Sequence, residues 1–131
     1  MNKLKQSLFI VAMLFAITLT ILTFSMTSNS SANSCTKKNT IVHQVIIKNG
    51  VVSPEKTHGT LCDKMTITNL DPVTREVAFG PHEHHEAYDG VLDKFLNIHQ
   101  SLTVTFDVAG TFHFHDHLHD SANGYFTVAN R

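Results

Sequence analysis

Short runs of strand-forming residues, each closed by a turn signal, follow one another from residue 41 onwards. The predicted strands cover residues 41–48, 51–52, 64–69, 75–79, 102–106, 111–115 and 125–128. The turns between them carry the pairs Asn49-Gly50, Asp71-Pro72, Gly80-Pro81, Ala109-Gly110 and Asn123-Gly124. Residues 86–98 suit either one helical turn or an irregular edge strand. Seven short strands at this spacing predict an all-β sandwich or a small barrel.

The N-terminal segment has the layout of a secretory signal. Lys3 and Lys5 precede an uncharged apolar run over residues 8–24, and Ser30-Ser31-Ala32 offers small residues for cleavage. The alternative is an uncleaved membrane anchor, because the run is near the lower length limit for a span. We therefore expect a signal or anchor at 1–32, a linker at 33–40 and one domain at 41–131. That domain is expected outside the cytoplasm, whether periplasmic, secreted or membrane-anchored.

The chain contains two cysteines, Cys35 and Cys62. An oxidising compartment favours a disulfide between them, which would staple a domain too small to bury a large core. The alternative is a pair of thiolate metal ligands, which the same compartment disfavours.

Ten histidines among 131 residues are the unusual feature of the composition. Ten lysines and arginines oppose eleven aspartates and glutamates, so the formal net charge of −1 leaves no basic surplus for nucleic acid. Charged residues make up 16% and hydrophobic ones 42%, which excludes a disordered charged tail. The composition therefore points to imidazole chemistry on a folded domain.

Residues 41–129 resemble the cupredoxins, the plastocyanin- and azurin-like Greek-key sandwiches. The resemblance rests on the segment 65–71, Val77-Ala78-Phe79, 101–106, Ala109-Gly110-Thr111-Phe112 and 124–128, in that order. Its most specific part is the Gly-Thr-Phe-x-Phe run at 110–114, directly before a ligand loop. The resemblance implies a Greek-key β-sandwich.

The blue-copper ligands of that family are not retained here. Asp116 stands where the family has its copper thiolate, and Arg75 stands where it has its upstream histidine. The axial methionine has no counterpart in residues 120–123, and only His119 matches a family ligand position. A blue site needs a thiolate with two imidazoles, so a blue electron carrier is excluded. An Arg75–Asp116 ion pair at the vestigial positions is a structural alternative.

The histidines form two dense groups, one at 82–85 and the other at 113–119. Strand side chains alternate, so Phe112, Phe114 and Asp116 share one face while His113, His115 and His117 share the other. If the phenylalanines face the core, the histidines face outward. In the cupredoxin sandwich the strand before the first group neighbours the strand of the second. The connection that carries the first group could then fold over the outer face of His115 and His117 and complete a site of three or four imidazoles.

A narrower resemblance selects individual ligands. Some extracytoplasmic cupredoxin-like proteins of bacteria pair a His-x-x-His-x-x-Tyr loop with an aromatic-His-x-His-Leu run, and both motifs occur here. This resemblance implies that the ligands are His82, His85, His115 and His117. His84, His113 and His119 are secondary candidates, whereas His43, His58 and His99 are expected to be ordinary surface residues. Carboxylates between the histidines could ligate or orient an imidazole.

Imidazoles with carboxylates favour Cu(II), with Zn(II) or Ni(II) as alternatives. We therefore expect an extracytoplasmic copper-binding protein that buffers, scavenges or delivers the ion, with an extracytoplasmic metal-handling protein as a partner. One alternative is a metal-free, disulfide-stapled interaction domain, and another is a type 2-like copper oxidoreductase component. The sequence carries no nucleophile elbow, phosphate loop or catalytic cysteine, which argues against an enzyme.

Overall fold

The computed structural model describes Cys35 and residues 40–131, and the predicted signal or anchor at 1–32 lies outside the described residues. The described part contains nine strands. They are β1 (Val42–Lys48), β2 (Val51–Ser53), β3 (Lys56–Thr60), β4 (Lys64–Asn69), β5 (Arg75–Phe79), β6 (Asp93–Leu96), β7 (Ser101–Thr105), β8 (Gly110–Asp116) and β9 (Asn123–Ala129). Within this part, no helix has the length and apolar character needed to cross a membrane.

Two sheets form the sandwich, which confirms the predicted all-β class. One has four strands in the order β2-β1-β4-β7, and the other has five in the order β3-β9-β8-β5-β6. Apolar side chains of alternate strand positions meet between the sheets because each strand turns every second residue inward. Phe126 lies in the core. Its ring centroid is 5.3 Å from that of Phe106 and 6.2 Å from that of Phe79.

All seven predicted strands are present, and two more complete the five-stranded sheet. The ambiguous stretch 86–98 contains the edge strand β6 and no helical turn. β3 was not predicted because its sequence, Lys-Thr-His-Gly-Thr, has no apolar alternation. It forms by pairing in parallel with β9, a long-range contact that places Thr57 beside Phe126. Pairing with a neighbour thus overrides weak local propensity.

One end of the sandwich is closed by the Cys35–Cys62 disulfide, which confirms the predicted pairing. Beside it, the buried carboxylate of Asp63 accepts hydrogen bonds from the backbone N–H groups of Ile41 and Thr60 at 3.1 and 2.9 Å. His43 Nε2 lies 3.3 Å from the same carboxylate, and its ring stacks on Phe106. The expectation that His43 is an ordinary surface histidine is therefore wrong. These contacts tie the start of β1 to the β3–β4 turn.

Candidate metal centre

Strand β8 presents two chemically different faces. Phe114 and Asp116 point into the sandwich and are 1% and 0% exposed. His113 and His115 alternate with them and lie on the outer face, as the sequence predicts. His115 is nevertheless only 2% exposed, because a loop folds over it. The expected outward-facing histidine stripe is therefore present, and the loop covers His115 within it.

The covering segment, here called the histidine loop, is Gly80–Glu86. It closes on itself through hydrogen bonds from Glu86 N–H to the Phe79 carbonyl at 2.9 Å and from His84 N–H to the Pro81 carbonyl at 3.0 Å. Gly80 has φ +83, and a Cβ there would lie 2.8 Å from the Glu86 nitrogen. Only glycine adopts this conformation without strain and leaves space for the returning chain.

His113 holds the base of the histidine loop. Its carbonyl accepts a hydrogen bond from Gly80 N–H at 2.9 Å, and its ring Nδ1 lies 3.1 Å from the Gly80 carbonyl oxygen. The other ring nitrogen lies 3.1 Å from Asn123 Oδ1 on β9. Both ring nitrogens of His113 thus lie against oxygen atoms of the protein, so this residue positions the loop rather than offering a free ligand atom.

The loop brings two histidines onto two others. The ring centroid of His82 lies 5.2 Å from that of His115 and 4.5 Å from that of His117. The ring of His85 lies 5.3 Å from His115 and 4.6 Å from His117. The four rings named from the sequence thus form one cluster, which we call the imidazole cluster. Its members come from the loop, from β8 and from the residue directly after β8.

Three members of the imidazole cluster converge more closely than the fourth. One nitrogen from each of His82, His115 and His117 can be chosen so that all three lie within 4.8 Å of one another. His85 stands beside this group, with its Nε2 3.0 Å from His117 Nδ1. A three-imidazole arrangement of this size can hold a divalent ion after small side-chain adjustments.

His115 is chemically the most unusual member. Among the described residues neither of its ring nitrogens has a hydrogen-bond partner, although both are buried. Burial, and after it the neighbouring His113, His85, His82 and His117, together lower the pKa of His115 to about 4. The ring is therefore neutral at neutral pH and carries a free lone pair. Buried polar groups nearly always have partners, and a cation is the partner that suits a lone pair surrounded by other imidazoles.

Carboxylates lie at the rim of the imidazole cluster rather than inside it. Asp120, with its side chain 81% exposed, approaches His82 Nδ1 at 3.5 Å. Glu83 and Glu86 are exposed on the histidine loop. The donor set nearest the centre is therefore imidazole alone, which fits borderline metals such as Cu(II) or Zn(II).

Arg75 and Asp116, the two residues that the resemblance places at former copper-ligand positions, belong to a buried charge network. Arg75 donates to Asp116 at 2.7 Å and to Asp71 at 2.6 Å. Burial disfavours the charge of Arg75, but the bonds to Asp116 and Asp71 outweigh this and raise its pKa. Burial likewise opposes ionisation of Asp71, yet the N–H groups of Gly50 and Asn49 and the guanidinium of Arg75 lower its pKa. The predicted Arg75–Asp116 contact is thus present, as part of a larger network.

His119 belongs to that network rather than to the imidazole cluster. Its Nδ1 lies 3.1 Å from Asp116 Oδ2. The other oxygen of Asp116 accepts hydrogen bonds from the backbone N–H groups of Glu76 and Leu118 at 2.9 and 3.2 Å. Because Asp116 stands between His115 and His117 in sequence, these bonds fix the backbone that presents both histidines.

The remaining histidines are not brought into the imidazole cluster. His84 is exposed on the loop, and His58 and His99 are exposed elsewhere. Sequence reasoning placed Asp71 and Asn123 only in turn pairs and missed that they orient Arg75 and His113. It also missed Ala78, the residue of β5 that pairs with His115 on the neighbouring strand β8.

A cavity of about 270 Å³ lies on the other side of the loop base, lined by Gly80, Pro81, Tyr88, Phe112 and His113 among others. None of the four histidines of the imidazole cluster lines it. The candidate centre is therefore a covered surface cluster and not this cavity.

The sequence matches no protein-family model and no curated protein. Solved structures, in contrast, resemble the fold. A purple cupredoxin from Nitrosopumilus maritimus has a TM-score of 0.58 at 21% identity, covering 66% of this chain and 99% of its own. A Cu(I) amicyanin variant has a TM-score of 0.55 at 24% identity, covering 69% of this chain and 82% of its own. A reduced amicyanin variant has a TM-score of 0.55 at 23% identity, covering 72% and 86%. The domain therefore has a cupredoxin-like fold, as its sequence motifs predict.

Proposed function

We propose that this protein is an extracytoplasmic metal-binding protein, with copper as its ion, that buffers, scavenges or delivers the metal. The proposed ligands are His82, His115 and His117, with His85 as the neighbouring fourth imidazole. The observation that carries the proposal is the buried, neutral ring of His115, which has no hydrogen-bond partner among the described residues and faces other imidazoles. Leaving such a ring without a partner costs free energy, and binding a cation would recover it.

Copper is favoured over other divalent ions by two arguments. The Irving–Williams order places Cu(II) above Ni(II) and Zn(II) for a given nitrogen site. The cupredoxin-like neighbours include an amicyanin variant described as a Cu(I) form. Zinc and nickel are the alternatives that a competition titration would separate.

The proposed role is not that of a blue electron carrier. The resemblance aligns Asp116 and Arg75 with the thiolate and the histidine of that site, and these two residues form a buried ion pair with each other. The copper-binding residues proposed here lie instead on the outer face of the five-stranded sheet. The extracytoplasmic location is supported by the Cys35–Cys62 disulfide and by the signal-like N-terminal sequence.

The test is a Cu(II) titration of the tag-free protein by calorimetry, with electron paramagnetic resonance on the product. Two double variants, His82→Ala/His85→Ala and His115→Ala/His117→Ala, are compared with a matched control, His58→Ala/His99→Ala, that removes two exposed histidines. We expect tight one-to-one binding with nitrogen hyperfine structure in the wild type and the control, and loss in both cluster variants.

Weak binding of several equivalents, falling in proportion to the number of histidines removed, would contradict the proposal. The metal-free interaction domain would then be the better description. Turnover of a redox substrate by the copper-loaded protein would instead favour the oxidoreductase alternative.

A further inference from the structure

We infer that the centre retains one coordination position open to solvent on the side of His82, and that this position takes a small anionic donor. The inference rests on the proposed function, because it concerns a metal held by the imidazole cluster. It goes further by assigning a second ligand class to the site.

The inner side of the imidazole cluster is closed. His115 is 2% exposed and lies on β8, with Ala78 on one side and Asn123 on the other. His117 is held from behind by the hydrogen bond of its N–H to the Glu76 carbonyl at 2.8 Å. A metal at this cluster therefore cannot be approached through the sheet.

The outer side is open. The side chain of His82 is 49% exposed, and the neighbouring carboxylate of Asp120 is 81% exposed. One nitrogen each from His82, His115 and His117 lie within 4.8 Å of one another, so the protein supplies three closely spaced ligand atoms. Centres with three protein ligands bind an exogenous molecule in the next position, whereas centres with four are closed.

His85 is the group that could close the fourth position. In the structure its Nε2 is engaged with His117 Nδ1 at 3.0 Å, and it does not belong to the three converging nitrogens. His85 therefore stabilises the orientation of His117 and leaves the solvent side free. A centre with a free solvent side can exchange its external ligand, whereas a structural centre with four protein ligands cannot.

The experiment is an azide titration of the Cu(II)-loaded protein, followed by the charge-transfer absorption and by the paramagnetic resonance spectrum. Copper stoichiometry is measured first in each sample. The wild type, His85→Ala and the control His58→Ala are compared. We expect one saturable azide in the wild type and in the control, with dissociation constants that agree within about threefold, since a threefold difference corresponds to only about 0.7 kcal/mol.

Two results would overturn the inference. If the wild type binds copper but not azide while His85→Ala binds both, His85 is the fourth ligand and the centre is closed. If copper binds one to one and azide binds to none of the three proteins, the position does not exist. A protein that fails to bind copper at all contradicts the proposed function as well, so the two failures are distinguished by the stoichiometry.

Discussion

At the scale of single residues, we expect the ring of His115 to destabilise the metal-free protein and to be required for copper binding. Its ring is buried without a partner among the described residues, so an apolar side chain of similar size should suit the apo protein better. We predict that His115→Leu raises the free energy of unfolding of metal-free protein by about 1 kcal/mol and abolishes copper binding. Urea unfolding in the presence of a chelator measures the first effect, and calorimetry measures the second. A clear loss of stability in His115→Leu would show that the ring has a partner in solution.

Asp63 is the residue expected to make the stability of the fold depend on pH. Burial raises its pKa, but hydrogen bonds from the Thr60 and Ile41 N–H groups, from His43 and from the Thr60 hydroxyl outweigh burial and lower the pKa to about 2. Because the folded pKa lies below the ordinary value of 3.8, the stabilisation is present above about pH 4 and is lost as the pH falls towards 2.

We predict that Asp63→Asn removes about 2 kcal/mol of stability at neutral pH and flattens the acid limb of the stability curve. Thermal unfolding of both proteins between pH 7 and about pH 2 checks this. A constant difference between the two curves across the whole range would contradict the assignment of the acid limb to Asp63.

At the scale of elements, the histidine loop depends on one glycine at its base. Gly80→Ala places an L-residue at φ +83 and a Cβ 2.8 Å from the Glu86 nitrogen. Gly90→Ala is the matched control, since Gly90 has φ +74 but nothing within 4 Å of an added Cβ. Both variants should lose about 1–2 kcal/mol through the backbone conformation. Only Gly80→Ala should also weaken copper binding, by about tenfold, which corresponds to about 1.4 kcal/mol. Equal copper affinities in the two variants would show that loop closure does not position the ligands.

Strands with an alternating sequence pattern of their own could be predicted together with their faces. Strands that form because they pair with a neighbouring strand could not. β4 and β8 alternate apolar and polar residues, so their strand state and their faces follow from the sequence alone. β3 depends on β9, and β6 depends on β5, through pairs that are distant in sequence. The fold of the histidine loop over His115 could be expected from the order of the strands, but the contacts of Gly80 with His113 that close it could not.

At the scale of the whole molecule, the staple and the candidate centre lie at opposite ends of β9. Leu61 N–H, beside Cys62, donates to the carbonyl of Ala129 at the end of β9, whereas His115 pairs with Asn123 at its start. We predict that Cys35→Ser/Cys62→Ser lowers the free energy of unfolding by about 2–4 kcal/mol, as expected for a cross-link between positions 27 residues apart. Copper affinity of the folded variant should be unchanged. A variant that loses both stability and copper affinity would indicate that the disulfide end and the candidate centre are coupled.

The site was predictable in its members and not in its geometry. His82, His85, His115 and His117 could be named because motifs and alternation mark them, and the structure brings their rings together. The burial of His115 and the engagement of His85 with His117 depend on the path of a loop, which no local pattern encodes. The network around Arg75 was predictable only as a pair, because nothing in the local sequence shows that the β4–β5 turn brings Asp71 within 2.6 Å of Arg75.

The alternation along β8 also determines which genetic changes this chain can tolerate. Phe112 and Phe114 alternate with His113 and His115, which gives β8 one row of phenyl rings and one row of imidazoles on opposite faces. A shift of one residue would exchange the two rows. Deleting one codon between Thr111 and His115 would exchange the rows for the remainder of the strand, placing imidazoles among the core phenyl rings and phenyl rings over the loop. In a library of all single substitutions and single-codon deletions, we expect many substitutions at His113 to remain foldable. Every in-frame deletion across this stretch should be absent from the folded fraction.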